Sequence, residues 1–526
     1  MTRNPLHWNA FLADLERRRK HLSPSLEVKS KVELGQFLTP VSVARFMAGM
    51  FRDQGEDISV LDAGAGIGSL TAAFVVEMAS RSRRVKRIQA TLYEVDTALA
   101  DALETTMAAC TVLSAASDIT FEYEIIREDF IRTTTAGFDL SPAKPPKIDF
   151  HYAILNPPYR KLNRASDTRG VLSDAGIEVN NLYSAFLALV ARLLRPNGEL
   201  VAITPRSFCN GPYFKAFRQD FFSRMSLDRI HVYESRSEAF RDDEVLQENL
   251  IFHAVKSHSR PKEVLISSSL GPLDSNVRLN QLPPEDVIRP CDPEMVVHVI
   301  INEAGRRAAK LAERLCGDLC ALGLSVSTGR VVDFRARPFL RSAPNEDTAP
   351  LIYPFNLEGG RVVWPKCHTR KPVAIANEPA TADLLIPSEI YVLVKRFSAK
   401  EERRRIVAAL YQPEGVMYPA VGFENHLNYF HMNGRGLPLP LARGLTAFLN
   451  STLADTYLRN FSGHTQVNAQ DLRRLKYPSQ EQLLLIASNV GEDLADQVAV
   501  DHAVMKALDL AYSTQARSSI RLLRSS

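Results

Sequence analysis

The chain contains 526 residues, of which 45% are hydrophobic and 24% are charged. These proportions are typical of folded globular proteins and exclude a fibrous or disordered chain. A chain of this length is too long to fold around a single hydrophobic core, so we expect two or three domains. The formal net charge is only +4, so any nucleic-acid binding must depend on local basic patches.

Six scattered cysteines predict neither a disulfide framework nor a zinc site. They are Cys110, Cys209, Cys291, Cys316, Cys320 and Cys367. Cys316 and Cys320 have helical spacing, but no second pair or nearby histidine completes a metal site, so we expect reduced thiols and no metal. The sequence shows no signal peptide and no apolar run long enough to cross a bilayer, which predicts a cytoplasmic protein with no membrane partner.

The first predicted element is a helix over residues 7–21, where apolar residues recur at helical spacing opposite a charged face. Asp14, Glu27 and Lys29 loosely resemble the D…E-x-K pattern of a nuclease. Because this segment has the pattern of a helix and a linker rather than of paired strands, a fused endonuclease is not expected.

From residue 58 onwards, strand and helix patterns alternate. The predicted strands are Ile58–Leu61, Ile88–Val95, Ile119–Ile126, Tyr152–Leu155 and Gly198–Thr204, and the clearest helices cover residues 70–79 and 182–194. Strands separated by helices indicate a parallel sheet covered on both faces, a doubly wound, Rossmann-like α/β fold. Ligands of such sheets bind at the carboxyl ends of the strands.

Beyond about residue 260, proline clusters and irregular apolar runs replace this alternation. The charged segment Ser398–Leu410 predicts a helix whose basic residues face solvent. The expected organisation is an N-terminal helical segment (1–34), an α/β domain (35–280), a mixed α+β domain (310–480) and a C-terminal helical tail (481–526).

A glycine-rich loop, "LDAGAGIGS", follows the first strand. Asp62 is followed by Gly64, Gly66 and Gly68, and glycines here let the backbone approach a ligand closely. Ser69 occupies the third glycine position of the dinucleotide fingerprint, so a nicotinamide cofactor fits less well. The alternative is a tight strand-to-helix turn without function.

Acidic residues follow the next two strands. Glu94, at the end of the second strand, is placed to accept hydrogen bonds from the hydroxyls of a ribose. Asp129 and Phe130, after the third, offer an acceptor for an adenine amino group and a ring to pack on the purine. Each acid alone is also typical of a solvated turn, but three consecutive strand ends with these properties favour a nucleoside site.

The fourth strand ends in Asn156, Pro157, Pro158 and Tyr159. The side-chain oxygen of Asn156 and the carbonyl of Pro157 can both accept hydrogen bonds from an NH2 group, which concentrates the nitrogen lone pair for attack on a methyl group. Proline rigidity holds these acceptors in place, and Tyr159 offers a face for a planar substrate. The alternative is an ordinary turn.

These motifs resemble a known family: the gamma-class, adenine-specific DNA N6-methyltransferases of bacterial restriction-modification systems, similar to the BsuBI/PstI and Eco57I-type methylases. The resemblance begins at "GQFLTP" (Gly35–Pro40), which looks like the family motif that contacts the methionine end of S-adenosylmethionine. It covers about residues 30–260, and the order of the motifs matches the gamma arrangement with a C-terminal target-recognition domain.

The resemblance implies S-adenosylmethionine as the cofactor. Thr39 and Asp62 would contact its methionine portion, Glu94 its ribose, and Asp129 with Phe130 its adenine ring. The implied cofactor-binding residues are Thr39, Pro40, Asp62, Gly64, Gly66, Gly68, Glu94, Val95, Asp129 and Phe130.

The resemblance also implies that Tyr159 stacks on the target base and that a second aromatic residue on a later loop covers its other face. "RSFCNGPYFKAF" offers Phe214, with Tyr213 or Phe208 as competitors, and all three have the alternative of being core aromatics. The implied catalytic residues are Asn156, Pro157, Pro158, Tyr159 and Phe214.

A methyltransferase that acts inside a duplex must take the adenine out of the base stack. The loop after Tyr159 is rich in basic residues suited to phosphates, although it also resembles an ordinary solvated loop. Two later segments, Ser327–Arg337 and Ser462–Asn468, look like parts of such methylases and offer side chains for base edges. The predicted DNA-binding residues are Arg160, Lys161, Arg164, Arg169, Arg330, Arg335, Arg337, Gln466 and Asn468.

The expected function is therefore site-specific adenine-N6 methylation of double-stranded DNA in the bacterial cytoplasm, in association with the nucleoid. A separately encoded restriction endonuclease is an expected partner. One alternative is methylation of RNA or of a protein glutamine, because the Asn-Pro-Pro-Tyr motif suits any planar NH2 group. The other is a non-catalytic DNA-binding subunit, which the intact set of motifs argues against.

Overall fold

The computed structural model describes residues 5–23, 37–81, 85–137, 149–163, 165–234, 248–274, 276–315, 317–366, 370–398, 402–413, 418–463, 466–491 and 493–508. The chain divides into two compact units, Met1–Ile301 and Asn302–Ser526. Within the described ranges, no helix has the length and apolar character needed to cross a membrane.

The first unit is built on a nine-stranded sheet. Its strands are β1 (Asp57–Ala63), β2 (Arg87–Tyr93), β3 (Thr120–Ile126), β4 (Phe150–Leu155), β5 (Leu194–Pro205), β6 (Met225–Tyr233), β7 (Asn249–Lys256), β8 (Val264–Ser269) and β9 (Arg278–Leu282). Their order in the sheet is β3-β2-β1-β4-β5-β7-β6-β8-β9. The first five strands are parallel, and β7 lies antiparallel between β5 and β6.

Helices cover this sheet. They are α1 (Pro5–Leu22), α2 (Val41–Ala48), α3 (Ser69–Arg81), α4 (Thr97–Ala115), α5 (Phe130–Ala136), α6 (Asp167–Asp174), α7 (Leu182–Leu193), α8 (Lys215–Phe222) and α9 (Pro284–Val287). Phe51, Phe74 and Tyr152 form a central aromatic cluster with ring centroids 5.2 to 5.3 Å apart. Trp8 and Leu15 of α1 belong to the same buried core, so the N-terminal helix packs with the sheet domain.

The predicted doubly wound α/β class is confirmed. Each strand and helix predicted between residues 58 and 204 is present, with its ends shifted by a few residues. β8 and β9 lie beyond residue 260, where the alternation of strand and helix patterns ends. β8 extends the sheet by parallel pairing with β6, a partner distant in sequence that no local pattern reveals.

The second unit combines two sheets with helices, as the predicted mixed α+β class requires. Its strands are β10 (Ser325–Thr328), β11 (Leu340–Arg341), β12 (Thr348–Ile352), β13 (Leu357–Glu358), β14 (Arg361–Val362), β15 (Ala374–Ala376), β16 (Leu385–Pro387), β17 (Tyr391–Lys395), β18 (Ala408–Tyr411), β19 (Ala420–Phe423) and β20 (Leu427–His431). The sheet orders are β10-β20-β17-β18-β14-β13 and β11-β15-β12-β19-β16. Its helices are α10 (Glu303–Glu313), α11 (Asp333–Ala336), α12 (Leu439–Leu449), α13 (Thr452–Phe461), α14 (Ala469–Arg474), α15 (Gln480–Asn489) and α16 (Gln497–Ala507).

The helix predicted over residues 398–410 is wrong. Residues 408–411 form β18, which pairs with β17, and the preceding described residues are irregular. The backbone N–H groups of Arg405 and Ile406 both donate to Asp455 Oδ1, at 2.6 and 2.8 Å. Arg405 is also buried rather than solvated. Tertiary hydrogen bonds from α13 therefore replace the helical ones that the charged pattern suggested.

A buried charge network joins β5, β6 and β7. His253 lies between two carboxylates, with Nε2 2.8 Å from Glu199 Oε2 and Nδ1 3.1 Å from Asp228 Oδ2. Burial lowers the pKa of His253, but hydrogen bonds from the ring to Asp228 and Glu199 outweigh burial and raise it. Burial raises the pKa of Asp228, but its bonds to His253 and Arg52 outweigh burial and lower it to about 2.

We expect Asp228→Asn to lower the free energy of unfolding by about 2 kcal/mol at about pH 6, because a charged hydrogen-bond acceptor is lost. The pKa of Asp228 falls from 3.8 to about 2 on folding, so its contribution is complete above pH 3.8 and is lost as the pH falls towards 2. Urea unfolding at about pH 6 and about pH 3 measures this difference. The exposed Asp14→Asn variant is the control, and an equal loss at both pH values would contradict the prediction.

Candidate active site

Four strand ends of the first unit lie at one edge of the sheet. β1, β2, β3 and β4 are parallel neighbours, so their carboxyl ends point the same way. They lead into the glycine-rich loop, Glu94, Asp129 and Asn156 respectively. The arrangement brings together the motifs that the sequence placed after separate strands.

The glycine-rich loop requires glycine at its bends. Gly64, Gly66 and Gly68 have φ angles of 81°, 56° and 86°, in the left-handed region that L side chains rarely adopt. A Cβ atom at Gly68 would lie 2.7 Å from Leu103 Cδ1 and 2.9 Å from Met107 Cε. Helix α4 therefore packs directly on the loop, which holds its backbone at the strand ends.

Glu94 ties this loop to the end of β2. Its Oε2 accepts the N–H of Gly66 at 2.8 Å, and its Oε1 accepts the N–H of Asp96 at 2.9 Å. Burial raises the pKa of Glu94, and these backbone donors act against that rise. No sequence pattern indicates this structural role, because the bonded residues belong to different motifs.

Asp62 is fully buried, and only one of its oxygens is paired. Thr71 Oγ1 donates to Oδ2 at 2.7 Å, while Oδ1 has no hydrogen-bond partner within the described residues. Burial raises the pKa of Asp62 to about 7, and the hydrogen bonds from Thr71 act against this. A buried carboxylate oxygen without a donor is unfavourable. The site therefore fits a ligand that brings an N–H group or an ammonium to Oδ1.

An apolar cluster lies beside β2 and β3. The ring of Phe130 is 2% exposed and lies 5.0 Å from the rings of both Tyr93 and Phe186, measured between centroids. Asp129 caps α5, accepting a backbone N–H of the first turn at 2.9 Å, and Val95 is 49% exposed. Phe186 was missed in the sequence, because the all-round apolar pattern of α7 indicated only a core helix.

The side-chain amide of Asn156 is held in one orientation. Its Nδ2 donates to the carbonyl of Phe37 at 2.9 Å and to Thr39 Oγ1 at 3.0 Å. A carbonyl can only accept, so the amide nitrogen must face Phe37 and the amide oxygen must face away. Oδ1 accepts the hydroxyl of Tyr159 at 3.0 Å. Gly35 and Gln36, the start of the predicted "GQFLTP" motif, lie outside the described residues.

The predicted aromatic residues form a row at this site. The ring of Tyr159 lies 6.0 Å from Phe37 and 6.2 Å from Tyr183, and Tyr183 stacks on Phe214 at 5.5 Å. Burial raises the pKa of Tyr159, so its hydroxyl stays protonated. Phe214 thus contacts Tyr183, which in turn contacts Tyr159. The sequence pattern indicates Tyr183 only as a residue of the helix over 182–194.

The two competitors of Phe214 have different environments. Phe208 is 3% exposed and packs edge-on against Phe217 at 6.1 Å, so it is a core residue. Tyr213 is 72% exposed, and its backbone carbonyl accepts a hydrogen bond from Asn180 at 3.0 Å.

Basic residues follow Tyr159 on an anchored loop. Arg160 and Lys161 are exposed, while the loop backbone is held by the Leu182 N–H, which donates to the Arg160 carbonyl at 2.8 Å. Arg169 is half-buried in α6, and Arg164 lies outside the described residues.

The predicted DNA-binding residues of the second unit fall into two groups. Arg330, Arg335 and Arg337 are exposed on one short segment around α11. Gln466 and Asn468 have structural partners instead. Gln466 Oε1 accepts from the arginine that follows β17 at 3.4 Å, and the Asn468 N–H donates to an aspartate of α14 at 2.9 Å.

The described cysteines are all free: Cys110 and Cys209 are buried, and Cys291 and Cys320 are exposed. Cys316 and Cys367 lie outside the described residues. Among the residues that the structure covers, no group of three or more His, Cys, Asp or Glu side chains is arranged to hold a metal.

The strand order, with antiparallel β7 between β5 and β6, and the motifs at the carboxyl edge define an S-adenosylmethionine-dependent methyltransferase domain. Residues 76–240 match the model of the Eco57I restriction-modification methylase family. The chain is 40% identical to the Type II methyltransferase M.PstI of Providencia stuartii over 509 residues, 97% of this chain and 99% of that protein. It is 42% identical to M.BsuBI of Bacillus subtilis over 496 residues, 93% and 97% of the two chains.

A solved structure of the Type IIL restriction-modification enzyme MmeI in complex with DNA shares the fold, with a TM-score of 0.53 and 12% identity. That match covers 99% of this chain and 76% of the other. The chain belongs to the family of Type II restriction-modification methyltransferases. Its cofactor is S-adenosylmethionine.

We expect Glu94→Gln to loosen the glycine-rich loop. Glutamine has one acceptor oxygen instead of two, so the N–H of Gly66 or of Asp96 loses its partner, at a cost of about 1–3 kcal/mol. Hydrogen exchange followed by mass spectrometry should show faster exchange in peptides that contain Gly66. The exposed Glu104→Gln variant is the control, and unchanged exchange in Glu94→Gln would show that the carboxylate does not hold the loop.

Proposed function

We propose that this chain is a site-specific DNA methyltransferase that transfers a methyl group from S-adenosylmethionine to N6 of an adenine flipped out of duplex DNA. Its biological role is that of the modification enzyme in a restriction-modification system, alongside a separately encoded endonuclease. The observation that carries the proposal is the fixed orientation of the Asn156 amide, whose oxygen faces the Tyr159 hydroxyl rather than the Phe37 carbonyl or the Thr39 hydroxyl.

This orientation suits an amine substrate. An exocyclic NH2 group has two hydrogens to donate, and Asn156 Oδ1 with the Pro157 carbonyl are the two acceptors that the motif provides. Hydrogen bonds to both acceptors draw the nitrogen out of conjugation and concentrate its lone pair. The methylated nitrogen is acidic and releases its proton to these acceptors or to water, so a strong side-chain base is not required.

The hydroxyl of Tyr159 donates a hydrogen bond to Asn156 Oδ1 at 3.0 Å. The target amine takes over this acceptor, and the ring of Tyr159 then covers one face of the base. Phe214 is assigned to the other face, with the exposed Tyr213 as its competitor. Stacking between aromatic rings holds a planar base that has left the duplex.

The residues at the first three strand ends fit S-adenosylmethionine. Oδ1 of Asp62, without a partner in the described structure, is assigned to accept from the amino group of the methionine portion, to which Thr39 and Pro40 are also assigned. Glu94 accepts from the ribose hydroxyls, and Val95 and Phe130 receive the adenine ring. When bound, S-adenosylmethionine supplies an electrophilic methyl group, and the chain supplies orientation and a dry pocket.

Duplex DNA is the proposed substrate because both M.PstI and M.BsuBI, named Type II methyltransferases, match this chain almost from end to end. The second unit is assigned to target recognition. Arg160, Lys161 and Arg169 are assigned to phosphates beside the extruded base. The base-edge candidates are Arg330, Arg335, Arg337, Gln466 and Asn468; of these, Arg330 and Gln466 already have side-chain partners, at 3.3 and 3.4 Å.

We expect Asn156→Ala to reduce methyl transfer by about 10²–10³-fold, because one of the two acceptors for the amine is lost. The wild-type protein and the variant are incubated with S-adenosylmethionine and unmethylated bacterial genomic DNA, and the nucleosides are identified by mass spectrometry. N6-methyladenine should form with the wild-type protein.

Asn163→Ala, in the exposed loop after the motif, is the matched control and should retain activity. Calorimetry should show nearly unchanged cofactor affinity in Asn156→Ala. Methylation of RNA or of a protein glutamine by the wild-type protein, with unmodified DNA, would replace the proposed substrate. Cofactor binding without any transfer would favour the non-catalytic subunit.

We expect cofactor affinity to fall as the pH drops below about 7. Burial places the pKa of Asp62 at about 7, so below this value the carboxyl becomes neutral and loses its attraction for the ammonium of the methionine portion. The dissociation constant should rise about tenfold per pH unit there. Titration calorimetry between about pH 5 and 8 measures the effect. Asp62→Asn should bind weakly with a flat profile; an equally steep profile in this variant would assign the pH dependence to another group.

A further inference from the structure

A short prominence in the second unit, residues 329–337, presents an aromatic ring and arginines on a firmly anchored backbone. The Gly329 N–H donates to the Leu427 carbonyl at 2.8 Å, and the Val331 N–H donates to the Phe423 carbonyl at 3.0 Å. A Cβ atom at Gly329 would collide with the backbone between β19 and β20, and Val331 is fully buried. The prominence is therefore fixed to the sheets beneath it.

Phe334 projects from this prominence. Its side chain is 75% exposed, more than any other aromatic side chain in the described part of the chain. The guanidinium of Arg335 lies over its ring, 5.5 Å from the centroid. Single exposed apolar side chains are common on surfaces. Phe334 differs from these in three respects: its large ring is exposed to solvent, the backbone before it is anchored by hydrogen bonds, and arginines lie next to it in the chain.

The charge around this ring is positive. Residues 329–342 contain four arginines (Arg330, Arg335, Arg337 and Arg341) and one carboxylate, Asp333. That carboxylate is already engaged, because it accepts the Tyr353 hydroxyl at 3.0 Å and forms an ion pair with Lys371. Arg337 is exposed, and its side chain makes no hydrogen bond or ion pair with any described residue. Arginines therefore outnumber carboxylates in the segment around the ring, and the side chain of Arg337 is without a partner among the described residues.

We propose that Phe334 inserts its ring against the base stack of duplex DNA, while Arg337 contacts a flanking phosphate. This inference rests on the proposed function and deepens it, because it names an apolar contact with the bases in a unit for which the sequence suggested only arginines and amides. An aromatic ring stacks on any base, and adjacent arginines neutralise phosphates. Apolar side chains wedged between base steps also kink and unstack a duplex.

The chemistry around Phe334 favours DNA over a protein partner. Aromatic and arginine side chains also occur at protein interfaces, but several like charges beside a single ring match the regular row of phosphates along a duplex. The anchored backbone also suits a wedge, because the ring must resist displacement while base pairs separate around it.

Fluorescence anisotropy with the full chain tests the proposal. The probe is a short labelled duplex that carries the sequence methylated by the wild-type protein. Phe334→Ala should weaken binding by about tenfold or more, which corresponds to the loss of one base-stacking contact, and leave the salt dependence unchanged. Arg337→Gln should reduce the slope of log affinity against log salt concentration by about one. Val498→Ala and Arg314→Gln, exposed residues of α16 and the end of α10, are the matched controls and should match the wild type.

Phe334→Trp provides an independent readout, because it retains a large ring and its emission is quenched when the indole stacks on a base. We expect near-wild-type affinity and quenching on addition of the duplex. Thermal unfolding of each variant controls for folding. If the wild type methylates DNA but Phe334→Ala binds equally well and Phe334→Trp is not quenched, the inference alone fails. If the wild type neither binds nor methylates any duplex, the proposed function fails together with it.

Discussion

The hydrogen bonds donated by the Asn156 amide nitrogen are the constraint on which the rest of the site depends. They reach the Phe37 carbonyl and Thr39 Oγ1, just before α2, from the end of β4. A side-chain amide that is free to turn presents nitrogen or oxygen with similar ease, and only the oxygen can receive an amine. Because the amide is fixed, Asn156 presents its oxygen, a hydrogen-bond acceptor, to the site. The same hydrogen bonds connect the end of β4 to the "FLTP" segment that precedes α2.

The cofactor region depends on buried carboxylates, which are expensive to place in a protein interior. Glu94 offsets this cost with backbone donors from Gly66 and Asp96, and in return it holds the glycine-rich loop at the end of β2. Thr71 donates a hydrogen bond to one oxygen of Asp62, and the other oxygen has no donor within the described residues. The two acids therefore differ: Glu94 holds the loop through both oxygens, and Asp62 has a hydrogen-bond partner on only one oxygen within the described residues.

The sequence predicted the first unit well because its signals are local. Five strands and the glycine-rich loop follow from runs of apolar residues and from glycines at positions that require a positive φ. The predictions failed where a distant partner decides the conformation. The described residues between 398 and 410 form no helix, because Asp455 of α13 accepts the backbone donors of Arg405 and Ile406. Similarly, β8 follows from pairing with β6 rather than from any pattern of its own.

The class of fold, the order of the motifs and the residue types at each strand end follow from the amino-acid sequence, because parallel strands bring their carboxyl ends to one edge whatever the rest of the chain does. The orientation of the Asn156 amide, the contact between Tyr183 and Phe214, and the exposure of Phe334 follow from the three-dimensional packing. These features arise from contacts between residues far apart in the chain, and such contacts leave no periodicity in the sequence.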